Sequence, residues 1–198
     1  MRLNSQPVLL LAAGWTVKSN WLLGSAQSGM SVIELLIGIA IVSMVIALGL
    51  PSYGAWIQNT QIRNATEAVL NGMQLARNEA VRRNLNVELA LGAQSSWTIS
   101  VPSTAEVIQT RNFGAGSKNV TVAITPNGTN RITFNSLGRV INNTTGNPNP
   151  ITRLDFTVPT TILAATAARN LQIRVDAGGT VRMCDPAVTV VTDPRYCT

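Results

Sequence analysis

Residues 28–51 read "SGMSVIELLIGIAIVSMVIALGLP". From Met30 to Leu50 the run is apolar or small except for one carboxylate, Glu34. At helical rise it extends about 30 Å, enough to cross the hydrocarbon core of a bilayer. Ile and Val are frequent, yet helix is expected, because in lipid the backbone must satisfy its own hydrogen bonds. A buried core helix is the competing assignment. It is weak, because the downstream chain is too small and polar to enclose so apolar a segment. Glu34 is the oddity: a carboxylate within a membrane segment is costly to insert and marks a functional position. No Lys, Arg or His lies between Val32 and Gln61 to pair with it. The opposite charge must come from a neighbouring molecule, or from a free α-amino group made by cleavage just before the segment.

Residues 1–29 allow that cleavage. They hold Arg2 and Lys18 and no acid, and their apolar patch "PVLLLAAGW" is too short to span a bilayer. An ordinary secretory signal is removed together with its apolar region. Here the best candidate position, after Gly29, lies before the main apolar run.

The rest of the 198 residues bound the function further. Charged residues make up only 12%, and 15 basic against 9 acidic give a formal net charge of +6. The basic residues are dispersed, so a dense polybasic footprint for nucleic acid or lipid is absent. The chain has no His, which removes Ser-His-Asp and Cys-His catalysis, imidazole acid–base chemistry and the usual metal clusters. No G-x-x-x-x-G-K or strand-linked G-x-G-x-x-G phosphate motif occurs. The expectation is a protein that is not an enzyme and takes no cofactor or metal. Cys184 and Cys197 fit neither a zinc pattern nor C-x-x-C. A disulfide closing a short terminal loop, of about 3 kcal/mol, is the better reading; two unrelated thiols are the alternative. A disulfide requires an oxidising compartment such as the periplasm or cell surface.

Past Pro51 the apolar spacing changes. Ile62, Ala65, Val69, Met73, Ala76 and Ala80 recur at i, i+3 or i+4, marking one face of a helix. Arg63 with Glu67, and Glu79 with Arg83, are spaced for helix ion pairs. One helix is therefore expected from about Met30 to Arg83, bent near Pro51. From Leu85 onward the texture is β: "LNVELAL", "WTISV", "EVIQT", "NVTVAI", "RITFN", "RLDFTV", "NLQIRV" and "GTVRMC" are short and rich in Val, Ile and Thr. Clusters of Gly, Asn and Pro separate them. "NLQIRV" with "DAGG" and "TVRMC" reads as a hairpin. The expected fold is α+β: a long N-terminal helix, transmembrane half plus amphipathic half, packed on a C-terminal antiparallel β domain. The expected division is 1–29 leader, 30–50 transmembrane or fibre-core helix, 51–84 amphipathic half and 85–198 β domain.

The segment "GMSVIELLIGIAIVSMVIALGLPSY" resembles the N-terminus of type IV pilins and type II secretion pseudopilins. "LARNEAVRRN" (75–84), "FNSLGRV" and "GGTVRMC" resemble features of the GspH/FimT branch of that family. The resemblance implies that a prepilin peptidase cuts after Gly29 and methylates the new amine on Met30, although Phe is usual there. It makes Glu34 the fifth mature residue, paired in assembly with the Met30 amine of an adjacent subunit, and Pro51 the helix-bending proline. It implies a minor pilin helping to initiate or cap a pilus, with roles in adhesion, twitching motility or DNA uptake. The alternatives are a minor pseudopilin of a type II secretion system, a DNA-binding pilin for transformation, and a plain single-pass membrane protein. Implied partners are other major and minor pilins, the peptidase, the inner-membrane assembly machinery and, before assembly, membrane lipid. The implied location is the bacterial inner membrane with a periplasmic C-terminal domain, then the pilus at the cell surface. DNA is the less favoured partner. The branch's Gly-Arg-x-Arg element is Gly179-Thr180-Val181-Arg182 here, with one Arg replaced. Arg174, Arg182 and Arg195, with Arg169, are the candidates for a weak DNA contact along one loose cationic edge.

Overall fold

A computed structural model describes residues 29–112 and 114–197, with only the backbone at Pro51. The expected leader 1–29 lies outside the described residues except for Gly29. The chain divides into two compact units, the first ending at Met44 and the second starting at Val45.

Helix α1 runs Val32–Arg83. Ser31 caps it, its Oγ accepting the amide of Ile33 (3.3 Å). The side chains of Val32 to Leu50 are all exposed, and the helix is long and apolar enough to cross a membrane. The helical backbone continues through Pro51, whose missing N–H removes one ladder bond.

Among the described residues nine strands follow: β1 Val87–Leu91, β2 Trp97–Val101, β3 Glu106–Arg111, β4 Thr121–Thr125, β5 Arg131–Phe134, β6 Val140–Ile141, β7 Arg153–Thr157, β8 Leu171–Val175 and β9 Val181–Cys184. They form two sheets of antiparallel pairs, ordered β3-β2-β1-β5-β6 and β4-β7-β8-β9. The eight strands expected from the sequence are present, and the expected hairpin is β8–β9. The two-residue β6 is additional.

The helix stripe read from the sequence forms the core. Ile62, Ala65, Val69, Met73, Ala76 and Ala80 are fully buried, with Leu89, Ile99, Ile132 and Phe134 from the first sheet and Leu154, Phe156 and Ile173 from the second. Each large side chain so buried contributes on the order of 1.5–3 kcal/mol. Gly72 sets the closeness of helix and sheet: a Cβ there would lie 2.8 Å from Trp97 Cε2 and 3.2 Å from Leu89 Cδ1. The Trp97 indole N–H donates to Ala68 O at 3.2 Å, so its polar edge is satisfied where the ring is buried. The architecture is α+β.

Candidate functional site

The family-like motif at 75–84 does structural work. Asn84 takes φ 53°. Its amide donates to Val81 O (3.4 Å) and the Leu85 amide to Ala80 O (3.3 Å), the paired bonds that terminate a helix with a left-handed residue. Glu79 accepts Arg82 Nη2 at 2.5 Å and Arg83 Nε at 2.8 Å. Arg83 Nη1 reaches both oxygens of Glu106 on β3 at 2.9 Å. These arginines, Arg82 first, hold the Glu79 carboxyl below its ordinary value. The ion pairs expected at Arg63–Glu67 and Glu79–Arg83 are both present.

The two glycine-arginine hairpin motifs meet at this helix end. Arg77 Nε donates to Gly138 O at 3.1 Å. Gly138 (φ 71°) turns the β5–β6 connection, where Asn135 Oδ1 accepts the amides of Leu137 and Arg139, each at 3.0 Å. Gly179 (φ 82°) lies in the β8–β9 turn, and a Cβ there would overlap Gly138 O and lie 3.1 Å from Gly138 C. The Val140 amide donates to Ala177 O at 3.3 Å. The motifs that look separate in sequence thus form one joint between the sheets, braced by the helix.

The arginines singled out for an anion do not share one edge. Arg174 and Arg182 face each other across β8 and β9, with Arg153 of β7 opposite Arg174. The three line a depression of about 340 Å³ with Thr125, Thr152 and Thr180. Arg169 and Arg195 line a different cleft of about 760 Å³ with Trp56, Arg63, Met183 and Asp185. The register decides this separation: Arg174 and Arg182 are on the opposite face of the second sheet from the buried Leu154 and Ile173, whereas Leu171 and Met183 line the larger cleft. Arg195 pairs with Asp193 at 2.8 Å; the hydrogen bond from that guanidinium lowers the Asp193 carboxyl and raises Arg195. Both depressions present cations and hydroxyls, chemistry suited to binding anions.

The cysteines form the expected disulfide, Cys184–Cys197. It closes a loop whose ends also meet through the Asp185 amide and Arg195 O (2.8 Å).

Glu34 occupies the first turn of α1 and is exposed. With Ser31 at the cap it completes the S-x-x-E spacing of a helix start, a signal present in the sequence itself. A carboxylate there also complements the positive end of the helix dipole. Met30 is exposed and outside the helix.

Glu88 is a site the sequence reading missed. It sits on β1 with its side chain 2% exposed, paired to Arg131 Nη1. Thr145 Oγ1 donates to both its oxygens at 3.0 Å. Asn143 Nδ2 donates to the carbonyls of Arg131 (3.1 Å), Asn147 (3.0 Å) and Asn149 (3.0 Å). The "NNTTGNPNP" segment, read as a separator, therefore covers the polar face of β1. Its only sequence signal is a carboxylate inside an apolar strand.

The family described as type II transport protein GspH matches this chain over residues 65–179. No curated protein matches. The type IV minor pilin FimU of Pseudomonas aeruginosa, in its crystal structure, is similar at 14% identity and a TM-score of 0.44, over 61% of this chain and 90% of that one. The GspH match spans the helix end, the first glycine-arginine motif and both turn glycines of the joint, Gly138 and Gly179, and more than half of the chain, so the chain belongs to this family as a type IV pilin/pseudopilin of the GspH/FimT branch.

Proposed function

We propose that the chain is a minor type IV pilin, a structural subunit that helps to initiate or cap pilus assembly. The observation that carries this reading is a helix exposed and apolar from Val32 to Leu50, with its one carboxylate, Glu34, in the first turn. In this reading residues 1–29 are a leader cut after Gly29 by a prepilin peptidase, which methylates Met30. Residues 30–50 then lie in the inner membrane and later in the fibre core, with a bend at Pro51. Glu34 pairs with the Met30 amine of an adjacent subunit, so two charges that lipid penalises neutralise each other. Residues 51–84 and 85–198 form the periplasmic domain, later displayed at the cell surface, where an oxidising environment maintains Cys184–Cys197.

Mass spectrometry of the mature N-terminus tests this directly. The expected species begins with N-methylated Met30, and an intact Met1 refutes it. Glu34→Ala should still insert in the membrane but no longer co-purify with pilus subunits; unchanged co-purification refutes the ion pair. A second reading, a minor pseudopilin of a type II secretion system, is favoured by the family's description. It predicts co-isolation with secretion pseudopilins in place of pilins. DNA uptake is a weaker reading, because the four candidate arginines lie in two separate depressions.

A further inference from the structure

We infer that the outer face of the second sheet is a binding site for an acidic polysaccharide, seated on the row Arg153–Arg174–Arg182. The row is fixed by register: Arg153 is opposite Arg174, and Arg174 opposite Arg182. Residues so paired share a face, on strands about 4.8 Å apart. Like charges directly opposite each other oppose strand pairing, and the core needs none of the three. Their neighbours along the strands, Leu154, Ile173 and Met183, are on the opposite face, where Leu154 and Ile173 are fully buried.

The adjacent row on the same face holds two of these arginines in place. Asp155 Oδ2 accepts Arg153 Nε at 3.0 Å, and Gln172 Oε1 accepts Arg174 Nε at 2.7 Å. Gln172 Nε2 in turn donates to Asp155 Oδ1 at 2.5 Å. Each Nε is thus used along the sheet. Among the described residues the terminal nitrogens of Arg153 and Arg174, the fork that fits a carboxylate, make no hydrogen bond.

The surroundings select among anions. Thr125, Thr152 and Thr180 border the depression, and among the described residues no aromatic ring does. Hydroxyls suit the hydroxyl groups of sugars, while single-stranded nucleic acid takes aromatic stacking platforms. Asp155 on this face and Asp176 in the lining temper the positive potential. That disfavours a phosphodiester chain and is tolerable for a polymer with one carboxylate per sugar. A chain crossing the strands would meet successive arginine positions one strand spacing, about 4.8 Å, apart, comparable to one sugar unit.

Affinity electrophoresis of the full chain in detergent micelles, through gels containing polygalacturonate, tests the assignment. Retardation is expected, weakening with salt. Arg174→Gln should weaken it about tenfold, the scale of one charge-assisted hydrogen bond. The double variant R153Q/R174Q should abolish it, while R169Q/R195Q, with the same charge change in the other cleft, should retain it. The melting temperature of R153Q/R174Q should stay level or rise. The inference is overturned by an absence of retardation, by equal loss in R169Q/R195Q, or by tighter binding of polyphosphate or duplex DNA at equal ionic strength. A drop in melting temperature with binding unchanged would assign the row to the fold and also overturn it.

Discussion

Gly179→Ala should be the most damaging single-methyl addition in the β domain. Two costs combine. The residue has φ 82°, a left-handed conformation that costs an L side chain about 1–2 kcal/mol. The added Cβ would also overlap Gly138 O, and the obstacle is backbone, with Gly138 C at 3.1 Å and Arg139 Cα at 3.4 Å. Relieving it means moving the β5–β6 turn away from the β8–β9 turn, an overpacking cost of about 1–3 kcal/mol. The sum, about 2–5 kcal/mol, lowers the melting temperature of a domain of this size by roughly 5–15 °C. Two other glycines calibrate the measurement. Gly138→Ala shares the positive φ, 71°, but its Cβ meets side chains and no backbone: Arg77 Nε at 3.0 Å, Val81 Cγ2 at 3.2 Å and Arg77 Cγ at 3.3 Å. Gly178→Ala meets only the Asp176 side chain, at 3.2 Å. Thermal melts of the full chain in micelles, followed by circular dichroism, should order the losses as Gly179, then Gly138, then Gly178. A Gly179→Ala protein melting with the wild type, or an inverted order, would refute the idea that this backbone approach holds the sheets together.

Reduction of Cys184–Cys197, or Cys184→Ser, should cost about 3 kcal/mol for a cysteine separation of 13; the reduced wild type and the oxidation-insensitive variant should melt together. Glu88→Ala should destabilise by about 3 kcal/mol, since it strands the half-buried Arg131. Glu88→Gln should cost less, and amide exchange should report loosening at Asn143 and Thr145. Glu79 carries a pH signature. Its carboxyl is lowered by Arg82 and Arg83 from 4.5, so its stabilisation is complete above that value and is lost as pH falls through the lower folded value. The stability gap between wild type and Glu79→Gln should be constant at neutral pH and close in acid; a gap that widens on acidification would contradict the assignment.

The sequence carried its elements better than its contacts. The stripe from Ile62 to Ala80 was legible because a helix repeats its buried face every three or four residues, and every member of it is buried. The helix end at Arg83–Asn84 was legible as a motif, though the left-handed Asn84 that closes it needed coordinates. Strand β6 was not legible, because two residues carry no alternation; its place comes from pairing with Thr133 and Phe134. Glu88 carries no local sign of its burial, because its partners Arg131, Thr133 and Thr145 come from 43 to 57 residues away. The arginines failed for the same reason. Residue counting cannot show that Arg153 joins Arg174 and Arg182 while Arg195 goes to another cleft, because register between distant strands is set by the whole sheet. Asn119 was read as the start of a strand, but its side chain is held by Gln58 of the helix at 3.1 Å.

The disulfide loop separates two kinds of constraint on the chain. Between Cys184 and Cys197 the backbone satisfies itself locally, with the amides of Val188, Asp193 and Tyr196 each bonded three residues back. Pro186, Ala187, Thr189, Val190, Val191 and Thr192 are all exposed. The covalent link fixes where the loop leaves and rejoins the domain, so its middle has little part in specifying the core. Substitutions and short insertions concentrate harmlessly in such segments. Here the chain can change what its surface presents, letter by letter, while the helix, the sheets and the glycine joint stay as they are.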